Sequence, residues 1–264
     1  MPIHPTAIVD PRAVVDATAV LGPYVVIDGP AVIGARCVLG PSVVVEGHTE
    51  IGPDCRLHAH AAIGGTPQDR RFTGAESYTR IGAGSILREG VTVHRGTAPG
   101  TATVVGERCL LMTNSHVGHN CTLADEVILV SGALLGGHVQ IGPRAMISGN
   151  AAIHQFVRVG ELALVGILAR IVQDVPPFFL TDQQGAIIGE NRVGMTRAGL
   201  SPDERREIKA AFRVIYRAGL GRSAAVEYLA GAVVTAAGQR LLQFMSGDSP
   251  RGVATRSPHS ARAA

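Results

Sequence analysis

Apolar residues recur every six positions from Ile3 to Ile171. Stepping by six gives Ile3, Val9, Val15, Leu21, Ile27, Ile33 and onward, and Ile, Leu or Val fills 26 of the 29 positions. The lattice misses at Asp69 and Ala75, resumes in phase at Ile81, and misses once more at Pro99. A period of six matches neither helix nor coiled coil. A strand alternates its side chains, so a short apolar strand closed by a turn buries one residue on one wall of a prism. Three walls make a coil of about 18 residues, and stacked coils share a core that no single coil can build. The pattern therefore predicts a mainly β chain, a parallel β-helix of hexapeptide repeats. Gly often follows the lattice residue, as at Gly22, Gly34, Gly82 and Gly136. That placement suits a corner with an unusual backbone conformation. The fifth position of each hexad is small or β-branched. Cys37, Cys55, Cys109 and Cys121 all fall there and read as small inward hydrophobes.

Two stretches leave the lattice, 64–80 and 96–103. Phase is kept across both, so they read as loops off the prism, and long loops on a rigid scaffold carry function. The lattice ends at Gln173-Asp174-Val175-Pro176-Pro177, where two prolines cannot continue strand pairing. Ser201-Pro202-Asp203-Glu204 is a capping box. It predicts a helix to about Ala218, stopped at Gly219, with Ile208, Ala211, Phe212, Ile215 and Tyr216 on one face. A second helical stretch is expected from Ser223 to about Phe244. The last residues are Ser, Pro, Arg and Ala without apolar pattern, which reads as disorder. The expected organisation is a β-helix over 1–177, a small C-terminal α-helical domain over 178–246 and a disordered tail over 247–264.

Composition narrows the class. A net charge of +3 is too weak to argue for nucleic acid, and Trp is absent, as suits thin aliphatic layers. No apolar run is long enough to span a membrane, and the chain enters the lattice at once, which leaves no room for a signal peptide. A soluble cytoplasmic protein is expected.

An 18-residue coil turns spacing into geometry. His119, Gly137 and Gln155 form one column; Asn120, His138 and Phe156 form the next; Gly118, Gly136 and His154 form the column on the other side. His116 stands near the same edge. Four of the ten histidines gather there. They read as surface histidines on polar turns, as an acid–base centre poised near neutral pH, or as a zinc site through His116 and His119. The spacing does not match the zinc ligands of the gamma-class carbonic anhydrases.

At these residues the sequence resembles the UDP-N-acetylglucosamine acyltransferases that begin lipid A synthesis. The matching stretches include Pro67-Gln68-Asp69, His94-Arg95-Gly96-Thr97, Gly137-His138-Val139, Ile153-His154-Gln155-Phe156, Gln173-Asp174-Val175-Pro176-Pro177 and Ile215-Tyr216-Arg217, within about residues 1–230. The resemblance implies a left-handed helix, a homotrimer and an active site in the cleft between two subunits, with no cofactor and no metal. It implies acyl carrier protein as donor and the sugar 3-hydroxyl of UDP-N-acetylglucosamine as acceptor. By matching position His119 is the general base and the Gly137 N–H the oxyanion donor. Gln68 and Asp69 hold the sugar, and His116, His138, His154 and Gln155 line the pocket. Arg71, Asn191 and Arg197 meet the nucleotide. Arg205, Arg206, Arg213 and Arg217 on the predicted helix suit docking of an acidic carrier protein.

The sequence also departs from that pattern. Asn120 follows the base where the family has Asp, and Ala75 replaces a loop Glu. Ile167, Leu168 and Arg170 stand where small residues admit long acyl chains, so a short or altered acyl group is expected. An amide stabilises an imidazolium less well than a carboxylate does. A weaker base and an easier acceptor, such as a 3-amino sugar, follow as the alternative, together with another nucleotide sugar, an acyl-coenzyme A donor, or a zinc hydratase.

Overall fold

The computed structural model describes residues 3–255. Its chain winds into a left-handed parallel β-helix followed by four short helices. Nine, eight and ten strands form the three sheets, and each sheet takes every third strand in order except that the last two strands both join the ten-stranded sheet. Partners stand 18 residues apart in the first coils, as in Ile8↔Val26, Val14↔Val32 and Val20↔Val38. Across the first loop the step becomes 30, as in Ile51↔Ile81 and Leu57↔Leu87. Across the second it becomes 24, as in Leu87↔Leu111 and Val93↔Val117. The insertions are thus two hexads and one hexad long, which is why the lattice keeps its phase. From Leu21 onward its apolar members are at most 2% exposed.

Each corner follows one physical rule. Three residues after the lattice residue the backbone turns left-handed, at Arg36, Ser42, Asp54, Asn120, His138 and Phe156 among others. Apart from Gly64 at φ 84°, the glycines directly after the lattice residue have ordinary φ, contrary to the sequence expectation. They are there because coils approach too closely for a side chain. A Cβ on Gly82 would sit 2.6 Å from Glu107 N, and one on Gly34 would sit 2.8 Å from Gly52 C. The small fifth-position residue helps satisfy the corner. Cys37, Cys55, Cys121 and Ser85 each donate to a corner carbonyl of the following coil, at 2.9–3.2 Å. All four thiols are free and buried.

The prism continues past the double proline. Val175 bridges Val159, and a strand at Phe179–Thr181 pairs beside Leu164 before an antiparallel partner at Ile187–Glu190. Helix α1 (Arg192–Arg197) follows, then α2 (Pro202–Arg217), whose capping box forms as expected. Ile208, Ala211 and Phe212 of α2 are buried, with Phe179, Phe212 and Tyr216 clustered at 5.4–5.6 Å. The expected second helix divides into α3 (Arg222–Ala232) and α4 (Ala236–Ser246), because Thr235 caps a new start by accepting from Gly238 N–H. No described helix is long and apolar enough to cross a membrane.

The expected tail is overturned for residues 247–255. This segment lies along Asp174, whose backbone N–H donates to Gly252 O and whose carbonyl accepts from Ala254 N–H, both at 2.8 Å. The Ser249 hydroxyl donates to the Asp174 carboxylate at 2.7 Å, and Ile187 N–H reaches Thr255 O. Asp174 is fully buried and also pairs with Arg158 at 2.8 Å, so the segment helps satisfy a buried charge. The rest of the expected tail, 256–264, lies outside the described residues.

If coil contact explains the corner glycines, Gly82→Ala should destabilise the fold by about 1–3 kcal/mol. Gly149→Ala, where the nearest atom to a new Cβ is 3.5 Å away, should stay within about 0.5 kcal/mol of the parent. Thermal unfolding at one fixed protein concentration compares them; equal midpoints for the two variants would contradict the rule.

Candidate active site

The histidine edge lies at the corner between the nine-stranded and eight-stranded sheets. His138 N–H donates to His119 O at 2.9 Å, and Phe156 N–H donates to Gly137 O at 3.1 Å. These bonds fix the columns read from the 18-residue spacing. The His119 ring lies flat against Gly137, so close that a Cβ there would sit 2.6 Å from Nε2. The residue at this corner position has its N–H outside the strand ladder. Proline fills the same position at Pro23, Pro41, Pro53 and Pro143 without loss. Among the described residues nothing accepts from the Gly137 N–H.

Asn120 sets the His119 tautomer. Its Oδ1 accepts from Thr97 N–H at 3.1 Å and from the Thr97 hydroxyl at 2.9 Å. A backbone N–H only donates, so the atom facing it is the amide oxygen. The same oxygen faces His119 Nδ1 at 3.0 Å, so Nδ1 carries the hydrogen and Nε2 keeps its lone pair. The amide therefore orients the ring as well as a carboxylate would; it lacks only the charge. Asn120 itself takes φ 60° and donates its N–H to the Thr103 hydroxyl at 2.7 Å.

A cavity of about 660 Å³ opens at this edge. Gln68, His116, His119, Gly137, His154 and Gln155 all line it, as expected from the sequence. His138 stands behind His119, edge to face at 5.2 Å, with Phe156 stacked on its other side at 4.7 Å. His116 Nδ1 lies 2.7 Å from the Thr92 hydroxyl. His154 is exposed, with Nδ1 3.2 Å from the Gln155 carbonyl. Asp69 and Arg71 pair with each other at 3.0 Å. Hydrogen bonds from the Arg71 side chain and backbone, more than the nearby His119, hold the Asp69 carboxyl down at about 2. A ligand using either residue must compete with that pair.

Two expected residues are elsewhere in the chain. Asn191 and Arg197 line a separate cavity of about 480 Å³ on the ten-stranded sheet, beside Ile128, Met146 and Leu164. Asn191 is occupied structurally. Its Oδ1 caps α1 at Gly194 N–H, 2.9 Å away, and its Nδ2 donates to Leu162 O at 2.8 Å. The site also contains a histidine that the column rule passed over. His94 lines the cavity and meets the His116 ring edge to face at 5.0 Å. The one-hexad insertion changes the local step to 24, which places His94 beside Gly118. Burial above all, then the nearby His116, lowers its pKa to about 4. Burial likewise lowers His116 and His138, each with a further push from His119. These rings stay neutral at pH 7. A cavity of about 710 Å³ between the eight-stranded sheet and α4 holds no such cluster among the described residues; its arginines, Arg158 and Arg240, already pair with Asp174 and Glu161.

An oriented imidazole with a free Nε2, packed against an unpaired backbone N–H, is suited to acyl transfer: one group takes a proton and the other meets an oxyanion. Comparison with known proteins agrees. The family model described as UDP N-acetylglucosamine O-acyltransferase, domain 2, matches residues 174–254, and the bacterial transferase hexapeptide model matches residues 30–65. An acyl-(acyl-carrier-protein)-UDP-N-acetylglucosamine O-acyltransferase of Paracidovorax citrulli is 46% identical over 258 residues, 96% of this chain and 98% of that one. The enzyme of the same name from Synechocystis is 44% identical over 177 residues, and the match spans 63% of this chain and 64% of that one. The solved structure of the Francisella novicida UDP-N-acetylglucosamine acyltransferase superposes with a TM-score of 0.93 at 34% identity, covering 98% of this chain and 95% of that one. With the prism, the helical region and the sequence aligned almost end to end, this chain belongs to the acyl-(acyl-carrier-protein)-UDP-N-acetylglucosamine O-acyltransferase family.

Proposed function

We propose that this chain transfers an acyl group from acyl carrier protein to the 3-position of the sugar of UDP-N-acetylglucosamine, the first step of lipid A synthesis, in the cytoplasm. The observation that carries the mechanism is the His119 ring lying against Gly137 with its Nδ1 hydrogen held by Asn120. His119 Nε2 takes the proton of the sugar hydroxyl as its oxygen attacks the thioester carbonyl. The Gly137 N–H receives the oxyanion of the tetrahedral intermediate, a contact worth about 3–4 kcal/mol. Collapse breaks the carbon–sulfur bond, and the proton on Nε2 passes to the departing thiolate. A thioester is activated enough that positioning and a general base suffice. Gln68 and Asp69 hold the sugar, Arg71 meets the nucleotide, and His116, His138, His154 and Gln155 shape the pocket.

A homotrimer completes this reading. Over the same coils, outer positions on the ten-stranded sheet read Ile86, Leu110, Ile128, Met146 and Leu164, while those on the eight-stranded sheet read Arg80, Val104, Thr122, Gln140 and Arg158. The nine-stranded sheet carries exposed Leu134 beside the cavity. Apolar walls of two kinds on one prism suit a head-to-tail contact that closes as a ring. In such a ring the Arg197 cavity of one subunit faces the His119 cavity of the next, which accounts for their separation within one chain. Ile167 and Leu168, 58% and 60% exposed at the far end, would close the acyl channel early and favour a short acyl group.

Mass spectrometry after incubation with UDP-N-acetylglucosamine and a mixed pool of acyl carrier protein thioesters tests the reading. One acyl chain should appear on the sugar, short of the longest supplied, and His119→Ala should slow its formation about 1,000-fold. Product from acyl-coenzyme A and none from the carrier protein would overturn it. The missing charge at Asn120 gives a second expectation. Asn120→Asp should keep all three hydrogen bonds and raise turnover on the hydroxyl acceptor by about tenfold. A fall in that rate, measured beside the 3-amino sugar, would refute the weak-base account.

A further inference from the structure

The 247–255 segment does more than cover the last coil: it brings a cation to the catalytic edge. Arg251 Nε donates to the Gln155 carbonyl at 2.9 Å, and its guanidinium carbon lies 5.9 Å from the centre of the Phe156 ring. Gln155 belongs to the His119 column and lines the same cavity. The segment is held on both sides of Arg251, by Ser249 on the Asp174 carboxylate and by Gly252 and Ala254 on the Asp174 backbone. Arg251 is therefore placed by a built anchor rather than by a loose chain end. Among the described residues no carboxylate pairs with it, and only its Nε is used. Both terminal nitrogens remain for a ligand.

The spacing identifies the ligand. His119, Gly137 and Gln155 rise by one coil each, so the Gln155 corner stands about 10 Å beyond the base. The guanidinium adds a few ångströms. A phosphopantetheine arm, amide-rich and extended, spans roughly 15 Å from its sulfur to its phosphate. With the thioester carbonyl at the Gly137 N–H, an arm running along the corner edge brings its phosphate to this guanidinium. A planar fork of donors suits a phosphate. We infer that Arg251 binds the phosphate of the donor's phosphopantetheine arm. The inference rests on the acyl transfer proposed above and adds a donor-binding residue to it.

The test uses the full-length protein and two small donors carrying the acyl chain that the product assay identifies: S-acyl-phosphopantetheine and its dephosphorylated counterpart, S-acyl-pantetheine. The parent should prefer the phosphorylated donor. Arg251→Ala should lower kcat/KM about tenfold or more for that donor and less than about twofold for S-acyl-pantetheine. Arg12→Ala, which removes an exposed cation at the opposite end of the prism, should leave the preference intact. A variant that merely loosens the segment loses rate on both donors equally, and that result overturns the inference, as does loss of the preference in Arg12→Ala alone. Failure of the parent to use either donor would instead count against the acyl transfer itself.

Discussion

Backbone-to-backbone approach between coils is the constraint on which this molecule depends. The lattice residue is buried, the next residue lies against the following coil, and the chain must then turn within three residues. Gly82 and Gly34 occupy points where a single added carbon would reach the neighbouring coil's backbone. Arg36, Asp54, Asn120 and His138 accept left-handed conformations at the turn that follows. Such strain is tolerable because each coil is held by two neighbours and by a shared aliphatic core.

The candidate site follows from the same corner. A turn that leaves one N–H outside the ladder offers a hydrogen-bond donor at the corner, and proline removes it at Pro23, Pro41, Pro53 and Pro143. At Gly137 the donor is kept and the residue has no side chain of its own. The histidine one coil earlier fills the vacated space, and Asn120 in the left-handed position turns back to hold that histidine's other nitrogen. Two routine features of the repeat thus become an oxyanion donor and an oriented base.

The prism was legible in the sequence because its period is set by local geometry and repeats many times. The His119, Gly137 and Gln155 column was legible for the same reason, and His94 was missed because one inserted hexad alters the local step. Features without a period were harder. Nothing in residues 247–255 shows an apolar pattern, yet they are held by Asp174, a buried carboxylate whose need for partners is invisible from spacing. The break between α3 and α4 depends on a Thr235 cap within a helix-favouring run. Asn191, expected to meet the nucleotide, also caps α1, a structural task that spacing does not reveal and that short polar side chains suit.

The most direct measurement is the turnover of Gly137→Ala, paired with its crystal structure. The new methyl group meets a side-chain ring that can swing rather than a backbone that cannot, so the fold should survive. The account predicts a displaced His119 imidazole and a kcat lowered about 100-fold or more. Turnover within about twofold of the parent, or an imidazole still seated over residue 137, would contradict it.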